Sequence, residues 1–375
     1  MYHARFDKDA LRDAQPASPP SARALDLARD PRCDWIDGEW AALAAKGRWP
    51  TGCPDFSGAL EPLFADRERR LLAVARGARL TALLPLHRDR RRGARWQVPA
   101  SSDLFEPADA LIGHDVDAAP LAGAIAALRH PLSLDRTSAD SPLIPALRRA
   151  MRGRGWLSVR PAKPCPLISL DAGWRDPESR FSARRRSDFR RAARRAEAMG
   201  AVTFEILAPT MTDFDALFDE AIAVEAQSWK RDAGSALAVD RRQARFFRAY
   251  CRTAAARGDL RLSFMRIGGK AVAMQLAVLW AGRYWLFKIG HDERVGKCSP
   301  GGLLMLHTLR WAAGQGLDSY ELLGEAEAWI TQLWTQEKRD CVHVRTYPFT
   351  APGFGALAAD GWAWLRHRLA PLGRR

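Results

Sequence analysis

Apolar positions along the chain fall into two dense blocks of the same design. The first runs from Arg70 to Ser101, "RLLAVARGARLTALLPLHRDRRRGARWQVPAS"; the second runs from Leu260 to Asp292, "LRLSFMRIGGKAVAMQLAVLWAGRYWLFKIGHD". Each reads as a strand, a tight glycine turn, a second strand, a longer polar or glycine turn, and a third strand. In the second block Gly268-Gly269 and Ala281-Gly282 suit two-residue hairpin turns. After each block the apolar spacing changes to a helix, then a strand, then a helix. The first series is Ala118 to Leu128, "HPLSLDR" and "PLIPALRRAMRGRG"; the second is Pro300 to Gly314, "LDSYELLG" and Glu325 to Thr335. A last strand closes each half, "WLSVRP" in one and "CVHVRTYPF" in the other. Two half-chains with one order of elements indicate an internal duplication. The fold class expected is α/β, with a mixed sheet of the α+β kind in each half.

The boundaries follow from composition. Residues 1–22 are polar with a "QPASPPS" tract and read as a disordered tail. Residues 23–165 form the first half and 166–350 the second. The second half opens with a strand, Pro166 to Leu170, and an Arg-rich helix from about Pro177 to Met199 that ends at Gly200. In that helix Phe189, Ala192, Ala193, Ala196 and Met199 share one face. Arg184, Arg190, Arg191, Arg194 and Arg195 fall mostly elsewhere, as a solvated basic face or a phosphate contact. Residues 351–375 read as a short amphipathic helix with Trp362, Trp364 and Leu365, docked on the second half or against a membrane surface.

Composition narrows the class. The 375 residues are 47% hydrophobic and 27% charged, which suits a globular chain of two domains. The N-terminal segment lacks the apolar core of a secretory signal, and no apolar run approaches bilayer length. The cysteines at 33, 53, 165, 251, 298 and 341 show no zinc-ligand or redox spacing, so a reducing cytoplasm with free thiols and no metal is expected. The net charge is +15. Such a field attracts polyanions: nucleic acid, an anionic membrane or a phosphorylated co-substrate.

One stretch carries chemistry, "KCSPGGLL" from Lys297 to Leu304. Ser299 suits an N-cap and Pro300 the first helical position. Gly301 and Gly302 then leave backbone N–H groups uncovered at the positive end of the helix dipole, with Leu303 next. That is a recipe for binding phosphate or pyrophosphate. Arg294 and Lys297 add charge at the same mouth.

The order of hairpin, third strand, Gly-rich helix start, helix, strand and helix resembles the GNAT acyltransferase fold. The residues that carry the resemblance are "RRRSDFRRAARRAEAMGAVTFEI", "AQSWKRDAG" and "IGGKAVAMQLAVLWAGRYWLFKIGHDERVGKCSPGGLLMLHTLRWAAGQGLDSYELLGEAEAW", spanning about Pro166 to Tyr347. They are most similar to the CelD/BcsL-type subfamily, itself similar in fold to Fem-type peptidyl aminoacyl transferases. The resemblance implies tandem GNAT-like domains. The first is degenerate, because "SSDLFEPADALIG" stands where Ser-Pro-Gly-Gly would be. It also implies that the coenzyme A pyrophosphate sits on the Pro300 helix, in a V-shaped opening between two strands. The co-substrate is then acetyl-CoA or another acyl-CoA. The acceptor is an amine on a small molecule or glycan. A charged tRNA is the alternative donor that a Fem-type reading brings.

The implied chemistry is attack of an amine on a thioester. It needs a proton acceptor and an oxyanion donor, commonly a backbone N–H of the third strand. Glu325 and Glu327, after the fifth strand, are the preferred acceptors. His291, at the end of the third strand, has an ordinary pKa suited to the task. Glu225 reads as a surface glutamate. Trp229 and Lys230 are candidates to line the acceptor site, and Lys288 to bind a substrate carboxylate. The subfamily's aromatic-Lys pair reads Trp329-Ile330 here: Trp329 is kept as a further candidate for substrate binding, and the loss of the lysine leaves a non-catalytic binding protein on a GNAT scaffold as an alternative.

Overall fold

A computed structural model describes residues 22–25, 34–64, 66–77, 79–91, 94–228, 237 and 239–369. The tail at 1–22 lies outside them save for Ala22, which opens a strand. In chain order the elements are β1 (Ala22–Leu25), α1 (Asp34–Ala44), α2 (Pro54–Leu60), β2 (Glu68–Arg76), β3 (Arg79–Arg88), β4 (Trp96–Gln97), α3 (Pro99–Asp103), β5 (Leu111–Ile112), α4 (Ala119–Ala127), β6 (Leu132–Ser138), α5 (Leu143–Ala150) and β7 (Gly155–Ser169). Then follow α6 (Ala183–Glu197), β8 (Val202–Leu207), α7 (Phe214–Glu225), α8 (Arg241–Ala256), β9 (Leu260–Ile267), β10 (Lys270–Trp280), β11 (Arg283–His291), α9 (Pro300–Gly314), β12 (Ser319–Glu321), α10 (Ala328–Leu333), β13 (Lys338–Pro348) and α11 (Ala351–Leu369).

Two compact units result. The first is drawn from 1–57, 64–162 and 341–375, the second from 58–63 and 163–340. This division differs from the boundaries at 165 and 350 read from the sequence, because the unit limits fall inside β7 and β13.

Within the first unit the strands run β1-β2-β3-β4-β6-β13, and within the second β8-β9-β10-β11-β12-β7. The pairings match place for place. Both begin with antiparallel pairs, both contain one parallel pair, β4 with β6 and β11 with β12, and both end antiparallel. The duplication read from the sequence is therefore present in the topology. The closing strands are exchanged, however. "CVHVRTYPF" closes the first unit by pairing Cys341 with Ser138 through Thr346 with Leu132. The second unit is closed by Leu167–Ser169 of β7. Local patterning marks a strand but does not name its partner.

In the second unit, the hairpin turns take left-handed backbone at Gly268, Gly269 and Gly282, as glycine allows, and at Ala281, which bears the cost of its Cβ. Helix α9 starts at Pro300 and ends at Gly314, the bounds its sequence signals set. Its Leu303, Leu304, Leu306 and Leu309 are buried against Met265, Ala273, Ala277, Tyr284 and Leu286 of the sheet. Each such leucine contributes about 1.5–3 kcal/mol of burial. Phe189, Ala192 and Ala196 of α6 join the same core. Met199, expected on that face, lies past the end of α6 and is 56% exposed.

The first unit has the same plan in reduced form. Its counterpart of β11 is the two-residue β4, and that of α9 is the nine-residue α4, whose first turn, Ala119 to Ala122, carries no glycine. Helix α11 belongs to this unit and not to the second. Its Asp360 takes bonds from Arg95 Nη2 (2.7 Å) and Tyr347 Oη (2.6 Å), which fixes the helix there.

Candidate functional site

The site is built where β11, a short 3₁₀ turn and α9 meet. β12 pairs with β11 over three residues only, ending at Trp285 opposite Glu321. β11 continues on β10 to His291. Six residues of β11 therefore run beyond its parallel partner, about 20 Å at 3.3 Å per residue. A bulge adds to this. Leu276 pairs with Lys288 and Ala277 with Leu286, so Phe287 is an extra residue. Leu286 points into the α9 core. Phe287 and Lys288 both reach the α8 side, where Phe287 meets Phe247 and Tyr250, with ring centres at 6.1 and 5.8 Å. Lys288 donates to Gln243 Oε1 (3.2 Å) and stands 4.7 Å from the Phe247 ring. It is held by α8.

The turn Glu293–Cys298 leads into α9. Asp292 opens it, accepting from Arg294 N at 3.0 Å. Asp292 also takes Arg294 Nε and Nη2 (2.9 and 2.6 Å), while Gln227 Oε1 accepts from the same Nη2 (2.6 Å). These bonds hold the Asp292 carboxyl below the usual carboxylate range. Arg294, expected to add charge at the mouth, is thus also a partner of Asp292. Lys297 is exposed, and its carbonyl accepts from Arg195 Nη1 of α6 (3.2 Å), which ties the basic helix to the turn.

Ser299 departs from the expectation of an N-cap hydroxyl bond. It sits at the N-cap place with φ 46° and ψ 51°, and its side chain makes no cap bond. A non-glycine residue in this left-handed region is strained, and such strain gathers at functional turns. Its hydroxyl lies 2.8 Å from where a Cβ on Gly302 would stand. The two glycines therefore do different things. Gly302 makes room for Ser299. Gly301 faces open space, with only His291 Nδ1 at 3.7 Å from its would-be Cβ. Both occupy the first turn, where N–H groups have no partner four residues back within the helix. Leu303 does not share this role. Its N–H donates to Ser299 O (3.0 Å) and its side chain is buried. Burial lowers the His291 pKa below that of an ordinary histidine, so the ring is neutral at pH 7.

The carboxylates are arranged differently from expectation. Glu325 and Glu327 lie in the loop before α10, which starts at Ala328. Glu325 is ion-paired with Lys163. Glu327 accepts from Trp329 Nε1 at 2.7 Å. Both are exposed. Ile330 is buried in the core with Trp334 and Leu304, so position 330 offers no aqueous place for a lysine. Glu225 is not a surface residue. It is fully buried at the end of α7, its carboxylate accepts from Leu237 N (3.0 Å), and its backbone lies against Gly290 of β11. Its neighbour in sequence, Gln227, meets Arg294. Sequence periodicity carried no signal for this burial. Trp229 and Lys230 lie outside the described residues. Among the described residues no cluster could hold a metal ion.

The first-turn backbone at Gly301 and the His291 ring thus flank one opening, and the edge of β11 beyond β12 leads away from it. Residues 183–330 match the family model of the acetyltransferase (GNAT) domain. The matched stretch lies within the second unit, from the start of α6 into α10. A search of curated protein sequences finds no match. Solved structures share the fold. FemX aligns with a TM-score of 0.56 at 10% identity, covering 84% of this chain and 96% of that one. A conserved protein of unknown function from Bacteroides thetaiotaomicron VPI-5482 gives 0.53 at 10%, covering 84% and 97%. The C-terminal domain of a putative lysylphosphatidylglycerol synthetase from Agrobacterium fabrum gives 0.51 at 12%, covering 86% and 93%. At such identities the likeness concerns fold alone. No described helix is long and apolar enough to cross a membrane.

Proposed function

We propose that the protein is a GNAT-type N-acyltransferase that moves an acyl group from acyl-CoA to an amine on a small molecule or glycan. One observation carries this reading: an open glycine turn at the start of α9 stands where β11 has run past its parallel partner. The Gly301 and Gly302 N–H groups would hold the diphosphate of the donor, with Lys297 and His291 beside it. The acyl-pantetheine arm would lie along Leu286–His291, and a backbone N–H at the Phe287 bulge would steady the oxyanion.

The amine nitrogen attacks the thioester carbon, and its ammonium proton passes to a carboxylate. The C–S bond then breaks, and the thiolate leaves and takes up a proton. Glu327, held by Trp329, is the proposed acceptor, since Glu325 is engaged by Lys163. His291 lies at the anion end of the strand and is assigned to the diphosphate. The similarity to the CelD/BcsL-type subfamily favours an acceptor from polysaccharide or envelope metabolism, and a cytoplasmic enzyme.

The test is turnover of acetyl-CoA and longer acyl-CoAs across a panel of amines. Release of free thiol that depends on the amine supports the reading; no donor binding at any chain length refutes it.

A second donor class has one observation in its favour. The exposed arginines of α6 reach the turn through Arg195, which extends the basic surface from the anion seat. An aminoacyl-tRNA would use such a surface. Retention of charged tRNA at physiological salt, with no binding of acyl-CoA, would establish that donor instead.

A further inference from the structure

Helix α11 is built inside out. The side that packs on the first unit is made of small residues and one acid: Gly353 and Ala356 are buried, and Asp360 is half-buried. The opposite side carries large apolar groups: Phe354 is 50% exposed, Trp362 62% and Leu365 40%. Trp364, one turn beyond Asp360 and past the buried contacts, is 51% exposed as well. A helix normally turns its apolar stripe toward a core. Here the stripe faces out.

The patch extends past the helix. Phe354 stacks on Phe349 (6.2 Å between centres), and Trp156 stands edge-on to both, at 4.9 Å from Phe349 and 5.9 Å from Phe354. Trp156 and Phe349 are 49% and 43% exposed. A contiguous aromatic surface of this kind marks an interaction site.

Its rim is basic. Phe349 N donates to Arg154 O (2.8 Å), and Arg152 and Arg154 are exposed beside it. Arg366 and Arg368 are exposed on the last turns of α11, and the Arg368 guanidinium lies 4.6 Å from the centre of the Trp364 ring. The only acid in α11, Asp360, is paired inward with Arg95 (2.7 Å) and Arg345 (3.0 Å). The outward side of α11 therefore carries aromatics and arginines and, among its described residues, no carboxylate.

We infer that this face docks the protein on an anionic lipid surface. Tryptophan and phenylalanine suit the headgroup boundary, and arginines at their edge meet lipid phosphates. A second copy is the poorer fit. A two-fold contact would set the same basic rim against itself. The face lies on the first unit and does not depend on the acyl-donor reading.

The test is co-sedimentation of the full chain with phosphatidylcholine vesicles, with and without about one-third phosphatidylglycerol. The wild type should bind the anionic vesicles and not the neutral ones, and release with salt. The double variants Trp362→Ser/Trp364→Ser and Arg366→Gln/Arg368→Gln should each bind about tenfold or more weakly, with unchanged melting temperature. The inference is overturned if the wild type binds neither vesicle or both alike, or if the tryptophan variant binds as the wild type does. It is also overturned if sedimentation velocity shows a dimer that the tryptophan variant dissociates. The arginine variant and the salt dependence keep the test decisive should the tryptophan variant fold poorly.

Discussion

His291 Nδ1 stands 3.7 Å from the point where a side chain on Gly301 would begin. The strand that ends in His291 and the helix that starts around Gly301 thus share one small opening. A diphosphate placed there meets backbone N–H groups and a neutral ring, and a methyl group at 301 would enter the same space.

That geometry separates binding from stability at Gly301. An alanine there gains about 0.5–1 kcal/mol of helix propensity. It should raise the melting temperature while weakening CoA binding about tenfold by closing the approach. A thermal melt and a titration on the same sample check both signs. A variant that binds CoA as tightly as the wild type would show that the ligand does not use this opening.

The depressed pKa of His291 gives a pH dependence. Burial keeps the ring neutral in the folded protein, while the unfolded chain protonates near pH 6.5. Between those two values the unfolded state holds more protons. This contribution to stability is therefore present above pH 6.5 and is lost as pH falls through the folded-state pKa. A bound diphosphate would favour the protonated ring, so CoA affinity should rise as pH falls from 8 to 6. His291→Gln should flatten the protein's share of that slope, read by comparing the two proteins at each pH.

Asp292 should behave in the usual carboxylate sense. Its pKa is depressed chiefly by the side-chain bonds from Arg294. The stability it contributes is present above the unfolded value near 3.9 and is lost as pH falls through the lower folded value. Asp292→Ala removes the partner of Arg294 and of the turn N–H; a loss of about 1–3 kcal/mol is expected from denaturant unfolding at pH 7.

Lysine at position 330, the residue the resembling subfamily carries there, should not be accepted in this core. Ile330 is 4% exposed among Trp334 and its neighbours. Ile330→Lys should cost about 2–4 kcal/mol, seen as a lower denaturation midpoint at unchanged m-value. A neutral effect would mean that the loop around Glu327 rearranges easily.

Much of this architecture was legible in the residues. Gly268, Gly269 and Gly282 marked the hairpin turns because glycine takes left-handed backbone cheaply, and Pro300 and Gly314 bracketed α9. Other features were not legible. The exchange of β13 and the end of β7 is a long-range choice that no local pattern encodes. Helix α10 is shorter than the run Glu325 to Thr335, since its first residues serve as loop and cap. Glu225 looked like a surface glutamate because its burial comes from packing on Gly290, far away in sequence. The pairing of Arg294 with Asp292 was not legible, because it depends on the turn's geometry. For α11, which side is covered depended on Gly353 and Ala356, and no local pattern shows that.

The central claim is that the first turn of α9 seats the diphosphate of an acyl-CoA donor. Calorimetric titration of acetyl-CoA into the wild type and Gly301→Glu tests it most directly, with melting curves to show that both are folded. Saturable binding by the wild type and none by the variant is the expected result; equal affinity in the two proteins would contradict it.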